Sequence, residues 1–141
     1  MIRRASHEER VRLAGEICDE VKGVLRGDLR AFVIFASIAK DVDGPYSDLE
    51  MMAITTDSYE EYCSEFMRDG IRCEVDFVPY KSAIKQAGTV DSFWSVRADQ
   101  WHRFVPVYLK EGDDCLVNIK QAAKEALLKD GDFRHALLDL M

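Results

Sequence analysis

Apolar positions recur at helical spacing near the start of the chain: Val11, Ala14, Ile17, Cys18, Val21 and Leu25 fall on one helix face. Ser6-His7-Glu8-Glu9 precedes them and reads as a capping box, with Ser6 at the cap and Glu9 reaching back. The helix should end near Gly27. Ala31 to Ala36 is a short apolar run of β-formers and reads as a buried strand. Lys40 to Ser47, punctuated by Gly44-Pro45, reads as a loop. Leu49 to Thr56 is the second predicted strand, and Asp57-Ser58 is expected to cap a short helix through Met67. Asp69-Gly70 is a turn. Ile71 to Val78 then alternates cleanly: Ile71, Cys73, Val75 and Phe77 point one way, and Arg72, Glu74, Asp76 and Val78 the other.

Beyond Pro79 the pattern is weaker. Tyr80 to Gln100 should hold one or two short helices, with Phe93 and Trp94 packing. Phe104 to Leu109 reads as a strand that Pro106 restricts to a sheet edge. Ile119, Ala122, Ala123, Ala126 and Leu127 mark a helix to about Lys129. Asp130-Gly131-Asp132 is expected to break it, and Phe133 to Met141 to begin another. The expected division is therefore a domain over 1–129 and the start of a C-terminal helix over 130–141. The fold class is α/β (α+β), a mixed sheet of four or five strands with helices mainly on one face.

The 141 residues amount to about one domain, 48% hydrophobic and 32% charged. A formal net charge of -7 argues against general affinity for nucleic acid, though bound metal can invert the local sign for a nucleotide. Cys18, Cys63, Cys73 and Cys115 form no CxxC pair and have no histidine cluster beside them, so they are expected as reduced thiols, several in the core. Met1-Ile2-Arg3-Arg4 is followed by no apolar h-region, and no apolar run approaches a membrane span. A cytoplasmic location with no membrane partner is the expectation.

One stretch carries candidate chemistry. Asp48 and Glu50 stand two apart on a predicted strand and so share a face; Glu74 and Asp76 do the same on a later one. If the strands are neighbours, three or four carboxylates converge, and a divalent cation such as Mg²⁺ would relieve their repulsion. On the residues alone, Asp48 and Glu50 also suit a solvated sheet face. Upstream, Ala36-Ser37 follows a strand and would present backbone N–H groups to phosphate, with Lys40 near enough to add charge. The acidic run Asp57, Glu60, Glu61 and Glu65 reads first as a solvated helix face. Trp94 and Trp101 read first as core, and His102 has no visible partner for acid–base work.

The segment Asp43-Gly44-Pro45-Tyr46-Ser47-Asp48-Leu49-Glu50-Met51-Met52 resembles the nucleotidyltransferase superfamily that includes DNA polymerase β, and within it the aminoglycoside (kanamycin) nucleotidyltransferases, in their N-terminal domain. The resemblance extends back to His7-Glu8-Glu9-Arg10 and forward through Cys73-Glu74-Val75-Asp76-Phe77 and Phe104-Val105-Pro106-Val107-Tyr108. It implies a nucleotidyltransferase-like fold and a Mg²⁺-dependent enzyme. Such an enzyme moves a nucleoside monophosphate from a nucleoside triphosphate such as ATP to a hydroxyl of a small acceptor, an aminoglycoside among the candidates. It implies Asp48, Glu50 and Glu74 as catalytic metal ligands, Ser37, Lys40 and Ser47 on the nucleotide, and a homodimer. Two departures accompany it. Ala36 and Ala39 stand where the family has glycines, and no residue matches the glutamate base of the family's helical C-terminal domain. The alternative reading is a catalytically weak, antitoxin-like module on the same fold.

Overall fold

The computed structural model describes the backbone of residues 2–89 and 100–139, and side chains as far as residue 128. Helix α1 spans His7–Leu25 and ends in a 3-10 turn over Arg26–Asp28. Strand β1 (Leu29–Phe35) leads into the four-residue helix α2 (Ala36–Ala39). Then follow β2 (Leu49–Thr55), β3 (Tyr62–Arg68), β4 (Ile71–Pro79), α3 (Tyr80–Gly88), β5 (Val105–Leu109) and a long helix, α4 (Cys115–Asp139). The strands form one sheet in the order β3-β4-β2-β1-β5. The β2–β4 pair is parallel and the β1–β2, β1–β5 and β3–β4 pairs are antiparallel, so the sheet is mixed as expected.

The sheet is covered on both sides. On one face Leu13, Ala14, Ile17 and Cys18 of α1 pack on Leu29, Phe32, Ile34, Leu49, Met51, Cys73 and Val75. On the other, Ala83 and Ala87 of α3 and Ile119 and Ala123 of α4 pack with Trp101 on Ala31, Val33, Met52, Ile54 and Val78. Among the described residues, α3 and α4 on one face against α1 on the other leave the helices mainly, though not only, on one side. Double coverage explains why β1 and β2 read as near-continuous apolar runs while β4, nearer the edge, alternates. Strand β5 is an edge, as Pro106 requires. Trp101 is core. Phe93 and Trp94 lie outside the described residues.

Three local expectations are corrected. Ser6 caps α1, its Oγ accepting from Glu9 N at 3.1 Å, but the Glu9 carboxylate accepts from Arg3 Nη1 at 2.7 Å instead of closing the box. The helix expected from Asp57 to Met67 is absent; Tyr62–Arg68 is an edge strand. Its pairing is set by Asp69 and Gly70, both at positive φ (52° and 75°), the geometry a two-residue hairpin needs. Asp57 does cap a helix, but a distant one: its Oδ1 accepts from Lys81 N of α3 at 2.8 Å. Finally, α4 runs unbroken through Asp130-Gly131-Asp132. A glycine inside a helix costs only about 1 kcal/mol, and strong helix formers flank it: Glu125-Ala126-Leu127-Leu128-Lys129 before and Ala136-Leu137-Leu138 after.

The start of α4 is held by a contact that no local pattern shows. Arg30 of β1 binds Asp113 through two hydrogen bonds, Nε–Oδ2 at 2.8 Å and Nη2–Oδ1 at 2.9 Å, while Asp113 Oδ1 accepts from Cys115 N. This fork geometry is the strong form of the pair. It locks the helix start to the sheet.

Candidate active site

The parallel register of β2 and β4 places Glu50 opposite Glu74 and Met52 opposite Asp76. Met52 and Ile54 of β2 and Val78 of β4 belong to the core on the α3–α4 face, so the alternation puts Glu50, Glu74 and Asp76 on that face too. Asp48, at the strand entrance, continues the same parity and is exposed. Four carboxylates thus share this face of the sheet, near enough for the charges of Glu74, Asp48 and Asp76 to act on Glu50. Burial pushes the Glu50 carboxyl above its ordinary range, and the charges of Glu74, Asp48 and Asp76 push it further. Such a cluster of hard oxygen donors suits a divalent cation.

Strand β3 adds a residue to this row that the sequence pattern left unassigned. Cys63 stands opposite Asp76, and its Sγ donates to Glu74 Oε1 at 3.3 Å. Cys63, Glu74 and Asp76 offer ligand atoms that all lie within 4.8 Å of one another. A hydrogen bond to Asp76, then burial, then Glu74, push the Cys63 thiol up to about 12, so it is neutral at pH 7. The expectation of a helix over these residues hid the thiol's position; only the hairpin signal at Asp69-Gly70 pointed to it. Cys18, Cys73 and Cys115 are buried, in line with core thiols.

The opposite side of the row is the end of β1. Phe35 pairs with Glu50, so Ala36 and Ser37 begin α2 beside the carboxylates. Phe35, at the N-cap of α2, offers no capping side chain. Ala36 sits at φ 63°, the left-handed region in which a methyl group is strained. Ser37 is half-buried, its carbonyl accepting from Val42 N at 3.0 Å, and Lys40 is exposed. Ser47 closes the turn before β2: its Oγ accepts from Gly44 N at 2.8 Å. Its carbonyl accepts from Arg10 Nε at 2.9 Å, which ties the residue before Asp48 to α1.

Ala36→Gly tests the strain directly. Relief of a left-handed alanine is worth about 1–2 kcal/mol, and the extra freedom of glycine in the unfolded chain returns about 0.4–1 kcal/mol. The variant is therefore expected to raise the urea midpoint slightly, where an ordinary alanine-to-glycine change lowers it. Equilibrium unfolding checks this; a lower midpoint contradicts the strain.

Beside the row a groove of about 280 Å³ is lined by residues including Met52, Cys63, Asp76, Gln86 and Gln100. A larger open groove of about 770 Å³ adjoins α3, with Asp57, Glu60, Glu61, Lys81 and Lys85 on its walls. The acidic run is largely engaged: Asp57 caps α3, Glu61 accepts from Gln86, and Glu65 lies 3.7 Å from Arg72. His102 is half-buried and lines neither groove.

The mixed sheet with its helices has a nucleotidyltransferase-like fold, and the chain resembles the nucleotidyltransferase superfamily in sequence. It is 29% identical over 119 residues to the aminoglycoside nucleotidyltransferase (4') of Staphylococcus aureus, and equally to that of a Bacillus species, covering 84% of this chain and 46% of each relative. The chain thus spans a little under half the length of these curated relatives. Among solved structures it superposes on a nucleotidyltransferase-like protein from Exiguobacterium sibiricum 255-15 with a TM-score of 0.54 and 10% identity, covering 78% of this chain and 38% of that one. A chain from a toxin-antitoxin structure with AMP-PNP aligns at TM-score 0.49 and 11% identity, over 90% of this chain and 98% of that one. No family model matches the chain. Among the described residues no helix is long and apolar enough to cross a membrane.

Proposed function

We propose that this chain carries the nucleotide-transfer half of a Mg²⁺-dependent nucleotidyltransferase acting on a small hydroxyl-bearing acceptor, an aminoglycoside being the acceptor class named for its relatives. The observation that carries this is the register Glu50–Glu74 on adjacent parallel strands, with Asp48 and Asp76 on the same face. Asp48, Glu50 and Glu74 are the residues that would hold the metal. When bound, a divalent ion supplies Lewis-acid polarisation of a phosphoryl oxygen and lowers the pKa of a bound hydroxyl. The chain's own part is to orient it: β2 and β4 are buried among packed neighbours, so their carboxylates sit on rigid backbone. Ser37, Lys40 and the uncapped start of α2 flank the row on the β1 side and are assigned to the triphosphate. The groove past Asp76 is assigned to the acceptor. Val117, Leu127 and Leu128 of α4 are exposed, and a second copy of the chain is the proposed cover.

Pyrophosphate release from Mg·ATP, measured with and without kanamycin-type acceptors, tests the reading. Acceptor-dependent release is expected. A second reading, a nucleotide-binding module without turnover, is favoured by the Ala36 methyl group in the tight turn. Mg·ATP binding without release in any acceptor would select it, and a gain of affinity in Ala36→Gly would locate the defect.

A further inference from the structure

The carboxylate row has a feature that Mg²⁺ chemistry does not use. Cys63 is exposed on the edge strand β3, so an ion reaches its sulfur without backbone movement. Two ligands on one tetrahedral Zn²⁺, with Zn–S about 2.3 Å and Zn–O about 2.1 Å, lie about 3.6 Å apart. Cys63 Sγ and Glu74 Oε1 stand at 3.3 Å, and Asp76 completes a set within 4.8 Å. Thiolate donors select Zn²⁺ and its soft congeners, whereas Mg²⁺ gains nothing from sulfur. Among the described residues, the other group of three ligating side chains, His7, Asp41 and Asp43, already holds the Arg10 guanidinium against Asp43.

We propose that Cys63, Glu74 and Asp76 form a capture site for thiophilic divalent cations, Zn²⁺ or Cd²⁺, and that such an ion, by taking Glu74, expels the hard cation from the neighbouring site. The first half stands on geometry alone; the second rests on the metal site proposed above. Three protein ligands leave one position open to solvent or substrate. The thiol proton leaves to solvent as the ion binds.

The test titrates Cd²⁺ and Zn²⁺ into the wild-type chain and into Cys63→Ser, with Mn²⁺ as the hard-ion probe. Cys18, Cys73 and Cys115 are buried, so folded protein presents Cys63 as its accessible thiol. The expected result is an ultraviolet thiolate-to-cadmium band in the wild type that Cys63→Ser lacks. Loss of even an outer-shell partner costs 10–100-fold in metal affinity, so Zn²⁺ affinity measured by calorimetry should fall about 100-fold in the variant. Mn²⁺ should still bind the variant, and Zn²⁺ should displace Mn²⁺ from the wild type only. A wild type without the cadmium band, or equal Zn²⁺ affinity in both proteins, overturns the capture site. Mn²⁺ binding that ignores Asp48→Asn overturns the hard-metal reading instead and leaves the cadmium result standing.

Discussion

Glu50→Gln is expected to stabilise the metal-free protein while removing its response to divalent cations. Glu50 is half-buried opposite Glu74, with Asp48 and Asp76 on the same face. Neutralising it removes repulsion among four carboxylates and leaves a side chain of the same shape. The same change deletes a proposed metal ligand. Removing one preorganised electrostatic partner of a transition state costs about 10²–10³ in rate, and nucleotidyl transfer should fall by at least that. Asp48→Asn should match it in rate but gain less stability, because Asp48 is exposed and its charge is already solvated. Thermal unfolding with and without MnCl₂, alongside pyrophosphate release, measures both effects. Equal Mn²⁺-induced shifts in wild type and Glu50→Gln would remove Glu50 from the metal site.

How much of this site was legible depended on whether its geometry was local. The Asp48-Leu49-Glu50 spacing on a strand is a two-residue property, and the alternation of Ile71 to Val78 is nearly so; both survive in the structure. That β2 and β4 are neighbours is a pairing across more than twenty positions, and local patterns hold only its condition: carboxylates on matching faces. Strand β3 was not legible because Glu60, Glu61, Glu65 and Met67 favour a helix by propensity, while an edge strand with one exposed face demands few apolar residues. The hairpin at Asp69-Gly70 and the ladder to β4 outweigh that propensity, and Cys63 arrives at the site only through them. Arg30–Asp113 joins residues 83 apart and leaves no periodic trace. The break expected at Gly131 failed for the opposite reason, since one local penalty was set against many helix-forming neighbours.

Arg10→Met is expected to cost about 3–5 kcal/mol, the usual result of stripping one partner from a buried ion pair. Arg10 and Asp43 side chains are 1% and 2% exposed, with Nη1–Oδ2 at 3.1 Å. The guanidinium also donates to the carbonyls of Ser47 and Ala5, so it bolts the loop ahead of Asp48 onto α1. The loss should depend on pH, because Asp43 keeps a second partner: His7 Nδ1 lies 2.7 Å from its Oδ1. That hydrogen bond raises the His7 pKa above 6.5 against the effect of burial. A raised histidine contributes stability that is fully present below pH 6.5 and is lost as pH rises through the folded value. Burial pushes Asp43 up, but the bonds from His7 and its own backbone, with the charges of His7 and Arg10, hold it below 3.8; its contribution is present above that pH and lost as pH falls through the folded value. In Arg10→Met, protonated His7 is the remaining cation, so urea midpoints should fall much less at pH 5.5 than at pH 8. The double variant Arg10→Met/Asp43→Leu should recover most of the stability, since an apolar pair can replace a buried ion pair at little cost. It should not recover Mn²⁺ affinity, because Ser47 has lost the donor that fixes the approach to Asp48. Full recovery of both would make the pair a matter of stability alone, with no part in placing the metal site.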